Sequence, residues 1–252
     1  MSRGACGLLA VAAALVLAGL AVLACTGLAP LGATRHPYRD RAVDAAVRHV
    51  TANVVSSVNF DQRGLDTLGE ETILLAATAG ATVLLRPSEE ERRAGRRRRD
   101  VRPSAHPPPG VLAVTRFTGL VLLPVSLVLG ADVVAHGAIT PGGGFQGGVV
   151  LATAVHLMFV SGDYPALQRM RPVSLGEWLD PVGAAGYLLI GVAGLAAGGA
   201  YLADVLPGGT FTDLLSAGTV PLLSAAVGVE VAGGVVVLLG RFLEQTFEIG
   251  EA

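Results

Sequence analysis

Glu230 is the first residue to consider, because its carboxyl stands near the middle of a long apolar run, where an ionised side chain costs several kcal/mol. Its helical neighbours Ala226, Val227, Gly233 and Gly234 form a small-residue patch, so that face meets protein and not lipid. Such a carboxyl either exchanges protons or serves as a protonated hydrogen-bonding link. His156 follows Gly144, Gly148 and Ala152 at steps of four, and so shares their packed face. An imidazole there can relay protons, or it can hydrogen-bond across a helix interface. Asp132 and His136 form an i,i+4 pair just ahead of a glycine run. They either gather cations at a mouth or simply face water. A zinc site built from Asp132, His136 and His156 lacks a fourth ligand, so no metal is expected.

A second group of polar residues lies in NFDQRGLDTLGEE, Asn59 to Glu71, at the start of another apolar run. Asp66 or Thr67 can cap the helix that begins there, and Arg63 can pair with Asp61 or Asp66. Gly69 and Glu70 fall in its first turn, where carboxylates complement the helix dipole. Glu70 enters one turn later than a cap requires, which makes it a candidate for an ion path. No Gly-x-Ser-x-Gly elbow, phosphate-binding glycine loop or HExxH pattern is present. Cys6 and Cys25 offer no CxxC spacing for zinc or an iron–sulfur cluster. Neither an enzyme nor a cofactor is expected.

Between these groups stands TPGGGFQGG, Thr140 to Gly148. Pro141 cannot occupy a helix interior, and Gly142, Gly143 and Gly144 permit positive φ and expose backbone N–H groups. The run, with Phe145, Gly147 and Gly148, forms either a broken-helix mouth or a tight turn that allows close packing. The two are compatible.

These residues must be positioned by membrane helices. The chain is 52% hydrophobic and 15% charged, too apolar for an ordinary soluble domain. Apolar runs long enough to cross a core of about 30 Å lie at 8–29, 67–85, 113–135, 144–160, 182–203 and 217–239. The expected fold is an all-α integral membrane protein with about six spanning helices. The first run, with Arg3 before it and Val22-Leu23-Ala24-Cys25 at its end, also fits a lipoprotein signal. Both readings place the following loop outside.

All 18 basic residues are arginines, and half lie between Arg86 and Arg116. Together with Arg3, Arg169, Arg171 and Arg241, they put both termini in the cytoplasm by the positive-inside rule. In the first loop Val43, Val47, Val50, Val54 and Val58 recur at helical spacing, with Arg41, Asp44, Arg48 and Thr51 on the other side. This predicts an amphipathic helix, lying on the outer interface or packed on other loops. Residues 87–110 combine charge blocks with Pro107, Pro108 and Pro109, and read as a disordered basic cytoplasmic linker. That linker suits topology and anionic lipid better than nucleic acid. The organisation is two plus four helices: 1–86, the linker 87–110, 111–240, and a tail 241–252.

The run HGAITPGGGFQGG at 136–148 resembles the signature of the MnhB component of Mrp-type (Mnh-type) multisubunit sodium/proton antiporters, a domain shared with membrane-bound hydrogenase complexes. Residues 111–240 look like that four-helix domain, with Gly218-Thr219 leading into the last helix and Glu230 where an acid is expected. Residues 49–86 resemble a small two-helix domain at the carboxyl end of the largest antiporter component, similar to the hydrogenase component MbhE. Its pattern Asp-x-Arg-x-x-Asp-Thr-x-Gly-Glu is filled by Asp61, Arg63, Asp66, Thr67, Gly69 and Glu70. The resemblance implies a bacterial cell-membrane subunit of a sodium/proton antiporter complex, with the other subunits, Na+, H+ and membrane lipid as partners. Cations or protons would enter at the Gly142–Gly144 bend and exchange with Glu70, His156 and Glu230. The alternatives are a purely structural subunit, including one in a hydrogenase-type or respiratory assembly, and a freestanding small transporter.

Overall fold

A computed structural model describes residues 3–27, 34, 36–85, 112–162, 167, 170 and 172–249. The linker at 87–110 and the arginines at 169 and 171 lie outside the described residues. All regular structure among the described residues is helical. The helices are α1 (Arg3–Thr26), α2 (Pro37–Arg48), α3 (Val54–Ser57), α4 (Gly64–Leu84), α5 (Ala113–Ala135), α6 (Gly144–Val160), α7 (Pro172–Gly198) and α8 (Val220–Ile249). A π-helical turn, Val58–Gln62, joins α3 to α4.

The chain is a multi-pass membrane protein. By length and composition α5, α7 and the Val220–Phe242 part of α8 can each cross a membrane, and Val11–Thr26 and Gly144–Val160 are shorter apolar helices. Asp66, Glu70 and Glu71 interrupt the apolar character of α4 at its start.

Met1–Asp40 and Arg41–Ala252 form two compact units. In the first, α1 is apolar and exposed from Val11 onward. In the second, α8 is the central helix, packed against α7, α6 and α4, while α5 lies on α6. Small residues set these crossings, as expected where lipid gives apolar helices no incentive to associate. A Cβ on Gly144 would strike the Ser224 carbonyl and the Gly228 backbone. One on Gly148 would strike Gly228 and Val231, and one on Gly183 the backbone of Glu230.

Three predicted elements take other bounds, and one of them is α8, which starts at Val220 and stays helical to Ile249, ten residues past the expected end at 239 and into the segment expected as a tail. The span expected at 182–203 is α7, which starts ten residues earlier, at Pro172, and ends at Gly198. Pro172 needs no intrahelical N–H partner at the first position, and Pro181 is held inside the helix. Gly199, at φ +77°, turns the chain out of it. The valine-faced helix expected through Val58 stops at Arg48, and Val50 has φ +57°. The face of α2 that packs inward carries Ala42 and Ala46, while Val43 and Val47 are exposed and Thr51 is buried.

The chain starts again at Asn53, whose side chain accepts from the amides of Val55 and Ser56 and caps α3. Its Nδ2 donates to the carbonyls of Gly137, at 2.7 Å, and Thr140, at 2.8 Å. One side chain therefore fastens the approach to α4 onto the turn that precedes the glycine run.

Candidate functional site: a buried carboxyl file

On α4, Thr67, Glu71 and Thr78 are buried along one face, at steps of four and seven. On α7 the buried stripe is Gly176, Asp180, Gly183, Tyr187, Gly191 and Gly194. On α8 it includes Leu223, Val227, Glu230 and Val231. Where the three stripes meet, three acids come together. Glu230 is 0% exposed, Glu71 2% and Asp180 3%.

Glu71 and Glu230 are side-chain neighbours, and Asp180 interacts electrostatically with both. With every carboxyl unprotonated, both oxygens of Glu230, Oε2 of Glu71 and Oδ1 of Asp180 meet no donor among the described residues, whereas a proton held by either glutamate hydrogen-bonds Glu71 to Glu230. Buried carboxyl oxygens left in this way are costly. Thr78 stands beside Asp180 and donates from Oγ1 to the Leu74 carbonyl at 3.0 Å. Above the acids, Tyr187 is fully buried and donates to the Gly64 carbonyl at 2.8 Å. Thr67 donates to the Asn59 carbonyl at 2.7 Å.

A cavity of about 230 Å³ reaches this cluster, lined by Ser56, Asn59, Phe60, Thr67, Glu70, Glu71, Gly142 to Gln146 and Val227. The glycine bend and the start of α4, two separate motifs in the sequence, thus form opposite walls of one space. Gly142 and Gly143 have φ near +139° and +138°, which lets the backbone double back without side chains filling the cavity. Gly143 precedes the first residue of α6. A larger hollow of about 580 Å³ runs along α5 from Pro124 to Asp132, and none of the buried acids lines it.

The other expected residues are placed as follows. Glu70 is exposed but lines the cavity. His156 lies on the row of Gly144, Gly148 and Ala152, and its Nε2 is buried with no partner among the described residues. Asp132 and His136 do pair, Nδ1 to Oδ1 at 3.0 Å, on an exposed stretch at the end of α5. Arg63 pairs with Asp66, and Asp61 with His49 at 2.7 Å. Neither Asp66 nor Thr67 caps α4, which begins earlier, at Gly64, without a side-chain cap. Pro141 and Phe145 are exposed, while Gly147 and Gly148 are buried against α5 and α8. A Cβ added to Gly69 would meet nothing within 4 Å, whereas Gly218 lies against Asp204, which accepts from the Thr219 amide at 2.9 Å.

Glu71 and Asp180 are not among the residues expected from the sequence. Spacing carries a signal for both, but not one that selects them over their neighbours. Glu71 is four residues from Thr67 and seven from Thr78, whereas Glu70 is one position round the helix. Asp180 sits in a glycine stripe at steps of three and four. Among the described residues, no group of three or more His, Cys, Asp or Glu is arranged to hold a metal ion.

A family model described as a domain related to the MnhB subunit of Na+/H+ antiporter matches residues 114–237. The uncharacterized protein MJ1307 of Methanocaldococcus jannaschii is 31% identical over 207 residues, covering 74% of this chain and 75% of that protein. Among solved structures, the fold is similar to a chain of the membrane-bound sulfane sulfur reductase, an archaeal respiratory membrane complex. That match has TM-score 0.67 and 24% identity, and covers 94% of this chain and 97% of the other. A chain of the Mrp complex from Dietzia sp. DQ12-45-1b matches with TM-score 0.65 and 23% identity over 96% of this chain. Only 26% of that longer chain is covered.

Proposed function

The chain belongs to the family of domains related to the MnhB subunit of Na+/H+ antiporters, and from that premise we propose that it is a subunit of a multisubunit monovalent cation/proton antiporter. In this reading it sits in a bacterial cell membrane beside larger subunits and lends them part of an ion path. The 111–240 part is the MnhB-like domain, and 49–86 is the two-helix part that resembles the end of the largest antiporter component. Na+ and H+ are the transported ions, and both termini are cytoplasmic.

The observation that carries this reading is the pair Glu71 and Glu230. They come from the two parts of the chain, are buried side by side, and keep orphaned oxygens next to a cavity bounded by the glycine bend. Burying the pair in charged form is costly, so it must hold at least one proton, and a proton held there is available for exchange. An ion path needs groups that can change charge at membrane depth. Ions reach the cavity past Gly142 and Gly143, with Glu70 at its wall, and exchange with Glu71 and Glu230 beyond it. Asp132 and His136 are candidates to collect ions at the surface, and His156 is a candidate for a separate relay on α6.

A second reading places the chain in a respiratory or hydrogenase-type assembly. It is supported by the nearly end-to-end match to a chain of the sulfane sulfur reductase complex. Purification of the assembled complex separates the two. Antiporter-type partner subunits and sodium-dependent proton movement in vesicles are the expected result. Co-purifying metal-cluster subunits, without such movement, would overturn the antiporter reading.

A further inference from the structure

Which ion the buried acids handle is a separate question, and its answer rests on the antiporter reading. We propose that Glu71, Glu230 and Asp180 form a file that carries protons and not the alkali cation, with the Thr78 hydroxyl as the link at Asp180.

A hard cation stripped of water takes several oxygen ligands converging on one point. Glu71, Glu230 and Asp180 come together, but among the described residues no three or more His, Cys, Asp or Glu side chains are arranged to hold a metal ion. The acids are instead spread over three helices, with Glu71 and Glu230 within side-chain hydrogen-bonding reach of each other and Asp180 interacting electrostatically with both. Each offers buried oxygens that lack a partner among the described residues. A carboxyl oxygen of this kind can take one proton and donate one hydrogen bond to the next carboxyl. Neighbouring carboxylates in a dry interior, with no cation between them, cannot all stay charged.

The groups facing the file fit this. Glu70 on α4, and Tyr187 and Tyr201 of α7 and the loop after it, lie near its cavity side and add no positive charge. On α8 and α7, Arg241 and Glu177 are paired with each other. His156 on α6 makes no ion pair with the file among the described residues. Each transfer breaks one O–H bond and forms another, and the negative charge moves the opposite way. No co-reactant is needed.

The far end depends on Thr78 and Gly234. The Thr78 hydroxyl can donate either to the Leu74 carbonyl, as it does here, or to Asp180 by rotating about one bond. Gly234 leaves that junction open. A Cβ there would stand 3.2 Å from Thr78 Oγ1 and 3.4 Å from Asp180 Oδ1.

The test uses the assembled complex in vesicles, with proton uptake followed by an entrapped pH dye and equilibrium binding of radioactive sodium measured on the same preparations. Thr78→Val and Asp180→Asn should each slow proton uptake roughly tenfold or more. Thr78→Ser should restore it, and Gly234→Ala should act like Thr78→Val. Sodium affinity should stay within about twofold in all of them. A parallel loss of sodium affinity in Asp180→Asn, or normal proton uptake in both Thr78→Val and Gly234→Ala, would overturn the proposal. Neither result would touch the antiporter reading, which fails only if the complex moves no sodium against protons.

Discussion

Glu71 of α4 and Glu230 of α8 lie side by side in the interior of the helix bundle, both almost fully buried and, among the described residues, with no arginine between them. Two stretches of chain on either side of a long basic segment are joined at this point by acids, not by the apolar packing that surrounds them. The pair is therefore where substitution should separate an ion path from a scaffold.

Adjacent acids on α4 should behave differently. Glu71→Gln removes a buried carboxyl from the file and should lower antiport turnover roughly tenfold or more. Glu70→Gln alters only the cavity wall, and turnover should stay within about threefold of the wild type. Initial rates in vesicles, normalised to the amount of assembled complex, check the ranking.

The glycine row on α6 should be intolerant of even a methyl group. Gly144→Ala places a Cβ against the Ser224 carbonyl and the Gly228 backbone, and overpacking of that kind costs about 1–3 kcal/mol. A lower melting temperature of the purified complex is the expected outcome. Gly69→Ala, inside α4 with open space around it, is the control and should leave the melting temperature unchanged or raise it slightly, since alanine is the better helix former.

Asn53→Ala removes both the cap of α3 and the two donors to the carbonyls of Gly137 and Thr140. Loss of the cap alone costs about 1 kcal/mol, and the buried Gly137 carbonyl and the part-buried Thr140 carbonyl lose a donor as well. Hydrogen exchange should speed up at the amides of residues 137–147 more than in the middle of α8.

Tyr187→Phe keeps the ring but removes the hydrogen bond to the Gly64 carbonyl at the start of α4. A loss of about 0.5–1.5 kcal/mol follows from one missing hydrogen bond. Thermal unfolding of the complex measures it, and Tyr187→Leu, which also removes the ring packed against Phe60, should cost more.

Much of this architecture is legible in the sequence, for identifiable reasons. The bounds of α5 and α6 match their apolar runs, because Pro107 to Gly110 stand just ahead of the first and His136 ends it, and Gly143 and Ser161 flank the second. The start of α7 is hidden by Asp180-Pro181, which looks like a boundary yet is packed inside a helix on α8. Asp180 is hidden for the same reason, since an acid next to a proline reads as a turn. Glu230 stands out because apolar residues flank it on both sides. Glu71 does not, because at a helix start both it and Glu70 suit the dipole, and only the packing of α4 on α8 decides which one is buried. Hydropathy is blind to that choice. The joining of the glycine bend to the start of α4 is also invisible, as it depends on Asn53 reaching across to carbonyls that carry no side-chain signal.

The most direct test of the account is sodium-driven proton movement by the purified complex carrying Glu230→Gln, compared with Glu230→Asp and the wild type. A neutral isostere keeps the shape and packing but cannot release a proton. The account predicts that Glu230→Gln loses roughly tenfold or more of the rate while Glu230→Asp retains a measurable part of it. A Glu230→Gln complex with an unchanged rate and an unchanged pH profile would contradict it.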